Sequence, residues 1–143
     1  MRKGSITCVD RHGAYNTFYY RYSVSGIQTE QEEHRLTIFA SSNYSDSEFF
    51  ELTAKPKDGQ LKIITIVKNN DALYGAKGIP DSAIPELAML SGKIVRSSSH
   101  KYPSEQNEYR TNDATKVWQR LENNQKATYD QATDVYTLTE ISK

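Results

Sequence analysis

The stretch of this chain with the most chemical potential is residues 63–92, IITIVKNNDALYGAKGIPDSAIPELAMLSG. A β-rich run feeding a glycine-containing loop that opens a helix is an arrangement that holds phosphate, because free backbone N–H groups and the positive helix end converge there. The same two glycines, Gly75 and Gly78, equally suit a chain that simply has to turn. Other reactive side chains are scattered. His12, His34 and His100 stand singly, without the spacing of a metal site, a Cys/His pair or a Ser/His/Asp arrangement. Cys8 is the one cysteine, so it forms no internal disulfide, and no Cys/His cluster exists for it to join as a zinc ligand.

The elements that must position these groups fit into one domain, residues 1–143. Lys and Arg together number 18, as do Asp and Glu, which argues against nucleic-acid binding through bulk charge and leaves room only for a local basic patch. The longest apolar run, residues 63–67 with Thr65 inside it, falls far short of the roughly 20 residues a membrane span needs. The opening MRKGSITCVDRHG has no apolar stretch resembling a signal-peptide core, so the cytoplasm is the expected compartment.

Four of the ten tyrosines, at 15, 19, 20 and 22, mark a strand over residues 17–25. A shorter strand over 5–10 precedes it, joined by turn chemistry at 10–13. With Arg11 and Arg21 interleaved, this aromatic hairpin has the composition of a recognition surface. Residues 28–33 form a polar connector and 35–41 a strand. Residues 48–55 and 60–68 form a hairpin around Pro56, Lys57, Asp58 and Gly59. Both faces of the 60–68 run are apolar, the mark of a central strand covered on both sides.

The period then changes. Ile84, Leu87, Ala88 and Leu90 give a helix ending at Gly92, in which Pro85 requires either a kink or a start near Ser82. A strand over 93–98 follows. Ala114, Val117, Trp118 and Leu121 lie at i, i+3, i+4 and i+7, with Thr111, Asn112 or Asp113 as N-cap, and specify a second helix over 113–125. Residues 126–129 and 135–139 make a closing hairpin. The fold class is α/β, a mixed α+β domain with a single mixed sheet and two helices packed on it.

On these residues the chain resembles the GCN5-related N-acetyltransferase (GNAT) superfamily, and in particular the small acetyltransferase-like proteins of tailed bacteriophages. The resemblance covers residues 35–138: β-hairpin, the loop Tyr74 to Pro80, helix, strand, helix and final hairpin. Residues 1–34 diverge, with a β-hairpin and connector where the family has two helices, which implies a reduced N-terminal lid. The family loop, Arg/Gln-x-x-Gly-x-Gly/Ala, binds the pyrophosphate of acetyl-CoA, and the pantetheine arm lies between the strands before and after the following helix. The resemblance therefore implies acetyl-CoA or CoA as cofactor, held by Val67, Gly75, Ala76, Lys77, Gly78 and Ile79. It also implies that a β-branched residue at Gly78 would abolish binding with the fold intact. Glu48 and Glu51 stand where a family general base lies, and Tyr109 and residues 97–99 where an acceptor cleft would be.

Three positions depart from the family pattern. Gly75 replaces Arg or Gln, Pro80 replaces the last small residue and has no N–H to give a phosphate, and Trp118 replaces the tyrosine that protonates the departing thiolate. Trp118 at helical spacing also reads as a core anchor. Two functions follow from the resemblance. One is an acetyltransferase-like accessory factor with degraded cofactor and catalytic motifs, binding a host protein. The other is an active acyl-CoA-dependent N-acyltransferase acting on an amine.

Overall fold

A computed structural model describes residues 2–41, 48–69, 74–75, 77–102 and 110–139. Its element order is β1 (Arg2–Val9), β2 (Tyr15–Ser25), β3 (Glu33–Phe39), β4 (Phe50–Lys57), β5 (Gln60–Lys68), α1 (Ile79–Ser91), β6 (Val95–Arg96), α2 (Asn112–Asn123), β7 (Ala127–Asp130) and β8 (Val135–Leu138). The strands form one eight-stranded sheet in the order β1-β2-β3-β4-β5-β6-β8-β7. Every neighbouring pair is antiparallel except β5 and β6, which run parallel with α1 between them in sequence.

Aromatic alternation builds the first half of the sheet. Phe18, Tyr20 and Tyr22 of β2 are buried on one face; Tyr20 and Tyr22 register with Ile38 and Leu36 of β3, which in turn oppose Phe50 and Leu52 of β4. The β1–β2 turn is closed by Asp10, whose carboxylate accepts from the amides of His12 and Ala14, each at 2.9 Å. Residues 2–34 contain no helix, so a hairpin added to the sheet edge stands where covering helices were the alternative.

The second hairpin is tighter than its sequence implied. Pro56 and Lys57 belong to β4, and the reversal is made by Asp58 and Gly59 alone, with φ 54° and 80°. Both angles are positive, as a two-residue hairpin turn with native strand twist requires. Pro56 is tolerated because the β3–β4 pairing ends at Ala54, so its missing N–H costs no bond in that ladder.

The first helix also differs from expectation: it starts at Ile79, not near Ser82. Gly78, at φ 75°, turns the chain so that Ile79 enters the core fully buried. Pro80 falls in the first turn, where a missing N–H costs nothing. Pro85 lies well inside the helix, and the Asp81 carbonyl loses its i+4 donor. Ala83, Ile84, Leu87, Ala88 and Leu90 form the buried face, and the helix ends where the Gly92 amide donates to Ala88 O at 2.9 Å.

The second helix follows its sequence signals closely. Thr111 is the N-cap, accepting from the Ala114 amide at 3.1 Å, and Ala114, Val117, Trp118 and Leu121 are buried. Trp118 stacks on Tyr136 of β8, ring centroids 6.1 Å apart, and thereby locks the closing hairpin to the helix. No helix among the described residues is long and apolar enough to cross a membrane.

Candidate functional site

The strand expected over residues 93–98 shrinks to Val95 and Arg96, and the reason creates the main cavity. β5 continues to Lys68, yet its parallel pairing is limited to Leu61 with Val95 and Lys62 with Arg96. Ser98 makes the next tie through its side chain, the Oγ donating to the Ile63 carbonyl at 2.6 Å. On the other edge of β5 the register with β4 steps from Thr53↔Thr65 to Ala54↔Ile63, leaving Ile64 as an extra residue. A bulge of this kind bends its strand and increases the local twist. Past Ile63 the two parallel strands part.

The gap is a cleft of about 230 Å3 between Ile63 to Val67 on one wall and Ser97 and Ser98 on the other, closed at the base by Arg110, Thr111, Ala114 and Trp118. Thr65 and Val67 are exposed, so β5 is central in the sheet but covered over only its first half. Among the described residues no strand pairs with its β6-facing edge beyond Lys62. The cleft thus combines apolar side chains with an open strand edge, a setting for a slender ligand that carries amide groups.

The Ser97 wall is held by a buried ion pair that periodicity could not reveal. Arg110 Nη2 donates to Asp134 Oδ1 at 2.8 Å, with side-chain exposures of 5% and 3%. Tyr129 Oη donates to the same oxygen at 2.7 Å, and the amides of His100 and Lys101 donate to Oδ2 at 2.8 and 2.9 Å. Arg110 also reaches the carbonyls of Ser98 and Asp134 and the hydroxyl of Thr115, and lies over the Tyr136 ring. Burial raises the Asp134 pKa, but the hydrogen bonds from Arg110, Tyr129 and the two amides outweigh it and hold the carboxyl well below its ordinary value. The pair fastens the loop after β6, the approach to α2 and the β7–β8 turn together. Arg110 and Asp134 sit in polar stretches that read only as loop, and their 24-residue separation leaves no sequence signal.

The residues proposed from the loop motif fall in different places. Val67 lines the cleft mouth and is 47% exposed. Gly75 and Lys77 are partly exposed on the approach to α1, Gly78 caps α1, and Ile79 is sealed in the core. Ala76 and Tyr109 lie outside the described residues. Gly78 has a steric role of its own: a Cβ there would run into the carbonyl oxygen of Val9 at the end of β1. A β-branched residue would push β1 away from α1, which corrects the expectation that the fold would ignore it.

The start of α1 is already partly neutralised. Asp81, in its first turn, receives both Nε and Nη2 of Arg120 at 2.8 Å, tying α1 to α2. With Pro80 lacking an N–H, the anion-holding capacity there is less than a helix start of this length would otherwise have. Glu51 registers with Val67 across the β4–β5 pair, but its carboxylate accepts from Thr37 Oγ1 of β3 at 2.9 Å and is not part of the cleft lining. Among the described residues no group of three or more His, Cys, Asp or Glu is placed to hold a metal ion. No family model matches the chain, and neither the curated proteins nor the solved structures compared with it give a match.

Proposed function

We propose that the chain is a GNAT-like domain that holds the pantetheine arm of a CoA-type thioester in the β5–β6 cleft and works as a binding accessory factor, with a host protein as its partner, rather than as a transferase. The observation that carries this reading is the cleft itself: a parallel strand pair joined through α1, opened by the Ile64 bulge, and left with an unpaired strand edge. Val67 and Thr65 would flank the arm, with Ser97 and Ser98 opposite. The fit is good for the arm and poor for the pyrophosphate, where Pro80 and the Asp81–Arg120 pair replace donors. A bound thioester would supply an acyl group for transfer, but the residue at the α2 position facing it is Trp118, 1% exposed, and an indole N–H does not protonate a thiolate.

Thermal melting with and without CoA tests binding. Ligand at 100 times its dissociation constant adds about 2.7 kcal/mol of stability. The expected result is a rise in Tm for the native chain and none for Thr65→Trp, which fills the cleft mouth from an exposed position. An unchanged Tm for the native chain at saturating CoA overturns the reading.

Active N-acyl transfer is the second reading, with Glu51, in register with Val67 across β4–β5, as the candidate general base. Thiol release from acetyl-CoA in the presence of small amines, abolished by Glu51→Gln, would establish it.

A further inference from the structure

On the other side of β6 lies a second concavity, of about 530 Å3, and the two faces of the closing hairpin create it. Side chains alternate along β8. Tyr136 and Leu138 are buried, with Tyr136 against Trp118 of α2, while Val135 and Thr137 turn the other way and line the basin. Thr137 pairs with Arg96 of β6, and Val135 with Asp130 of β7, so a guanidinium and a carboxylate join the same lining.

The rim is made of two loops, the β7–β8 turn with Ala132 and Thr133 and the segment after β6 that ends in Tyr102. One carboxylate fastens both. Asp134 accepts from the amides of His100 and Lys101 and from the Ser99 hydroxyl, and Ser99 Oγ in turn accepts from the Tyr102 amide at 2.9 Å. The Tyr102 side chain nevertheless lies outside the core, 62% exposed. A large aromatic ring carried on a fixed backbone at the mouth of a polar basin is placed to cover a ligand.

The charges around the basin are matched. Lys57 and Arg96 stand with Asp130 and with Asp58, which lies 3.6 Å from Arg96. Lys62 is 9% exposed and already engaged, so it is not among the groups on offer. Such a balance exerts little net pull on an ion, yet it sets donors and acceptors side by side. Arg96 donates, Asp130 accepts, and the hydroxyls of Thr133 and Thr137 do either. The Ala132 amide donates to Asp130 Oδ1 at 2.9 Å and so fixes the direction of that carboxylate. Neighbouring hydroxyls on a sugar ring need this mixture, since each is donor and acceptor at once, and the C–H face of the ring packs flat on an aromatic surface.

We infer that this basin binds a neutral saccharide of one or two rings, one ring stacked on Tyr102 with its hydroxyls shared among Asp130, Arg96 and Thr137. The volume falls within the range of about 300 to 1,000 Å3 usual for small-molecule sites. The basin borders the β5–β6 cleft only at Ser97, so the inference does not depend on what the cleft holds.

Amide NMR of the full chain, titrated separately with cellobiose and with diacetylchitobiose, tests it, with glycerol and inorganic pyrophosphate as comparison ligands. Saturable shifts are expected at Arg96, Thr133 and Thr137 with at least one disaccharide, together with saturation transfer from aromatic protons to the sugar C–H protons. Tyr102→Ala, at an exposed side chain, should weaken binding about fivefold or more, whereas Tyr102→Phe keeps the ring and retains it. Thr137→Val, of nearly the same shape, should give a separate loss of binding with the sheet in place. Four results would overturn the inference: no saturable shifts with either disaccharide, equal shifts with glycerol, tighter binding of pyrophosphate than of both disaccharides, or binding that Tyr102→Ala leaves intact.

Discussion

Asp134 sits at φ 57°, a left-handed position that Asn tolerates nearly as well, so Asp134→Asn removes the charge with little change to the backbone. The Arg110 guanidinium is then left buried without its counter-ion. Loss of one partner from such a pair costs about 3–5 kcal/mol, measurable by urea unfolding at neutral pH. The same carboxylate sets an acid limit. Its folded pKa lies below the ordinary 3.8, so the stabilisation it brings is complete above that value and is lost as pH falls through the folded pKa. Unfolding midpoints of the native chain should therefore drop below pH 3.8, and the drop should be smaller in Asp134→Asn. Gly78→Ala makes a different demand, forcing a Cβ into a left-handed residue against Val9 O. Its expected cost is at least about 2 kcal/mol, with or without CoA present. A stability near that of the native chain would mean that β1 and α1 do not meet as described.

At the scale of elements, Pro85 is the clearest departure from local preference. Ile79 is completely buried, and burial of a side chain of that size contributes about 1.5–3 kcal/mol, comparable with the cost of a proline inside the helix. Tertiary packing thus draws the helix start back to Gly78 in spite of Pro85, which is why the competing start at Ser82 looked equally good from sequence. Pro85→Ala should restore a donor to Asp81 O and stabilise the chain by about 2 kcal/mol in thermal or urea unfolding. The strands and α2 were legible because their side chains repeat at two or at three and four residues: Phe18, Tyr20 and Tyr22 in one case, Ala114, Val117, Trp118 and Leu121 in the other. β6 was not. Residues 97–99 are serines whose hydroxyls replace ladder bonds, with Ser98 reaching Ile63 O and Ser97 Oγ accepting the Tyr136 amide, and no periodicity encodes such substitutions.

For the molecule as a whole, the sheet order places a parallel pair between four antiparallel strands and the closing hairpin, so the strand edges that part at Ile63 face a helix, α2, instead of solvent alone. The parallel run of the strands before and after α1 agrees with the single mixed sheet expected from sequence. The cleft wall was not legible there, because Arg110 and Asp134 meet only through the tertiary fold. The β5–β6 cleft, proposed to hold a thioester arm, is the feature on which the functional account depends, and calorimetric titration of acetyl-CoA into the native chain addresses it most directly. The account requires a saturable one-to-one isotherm, with a negative heat-capacity change from burial of the Ile63 to Val67 wall, that disappears in Thr65→Trp. A flat isotherm for the native chain, or one that Thr65→Trp leaves intact, would contradict it.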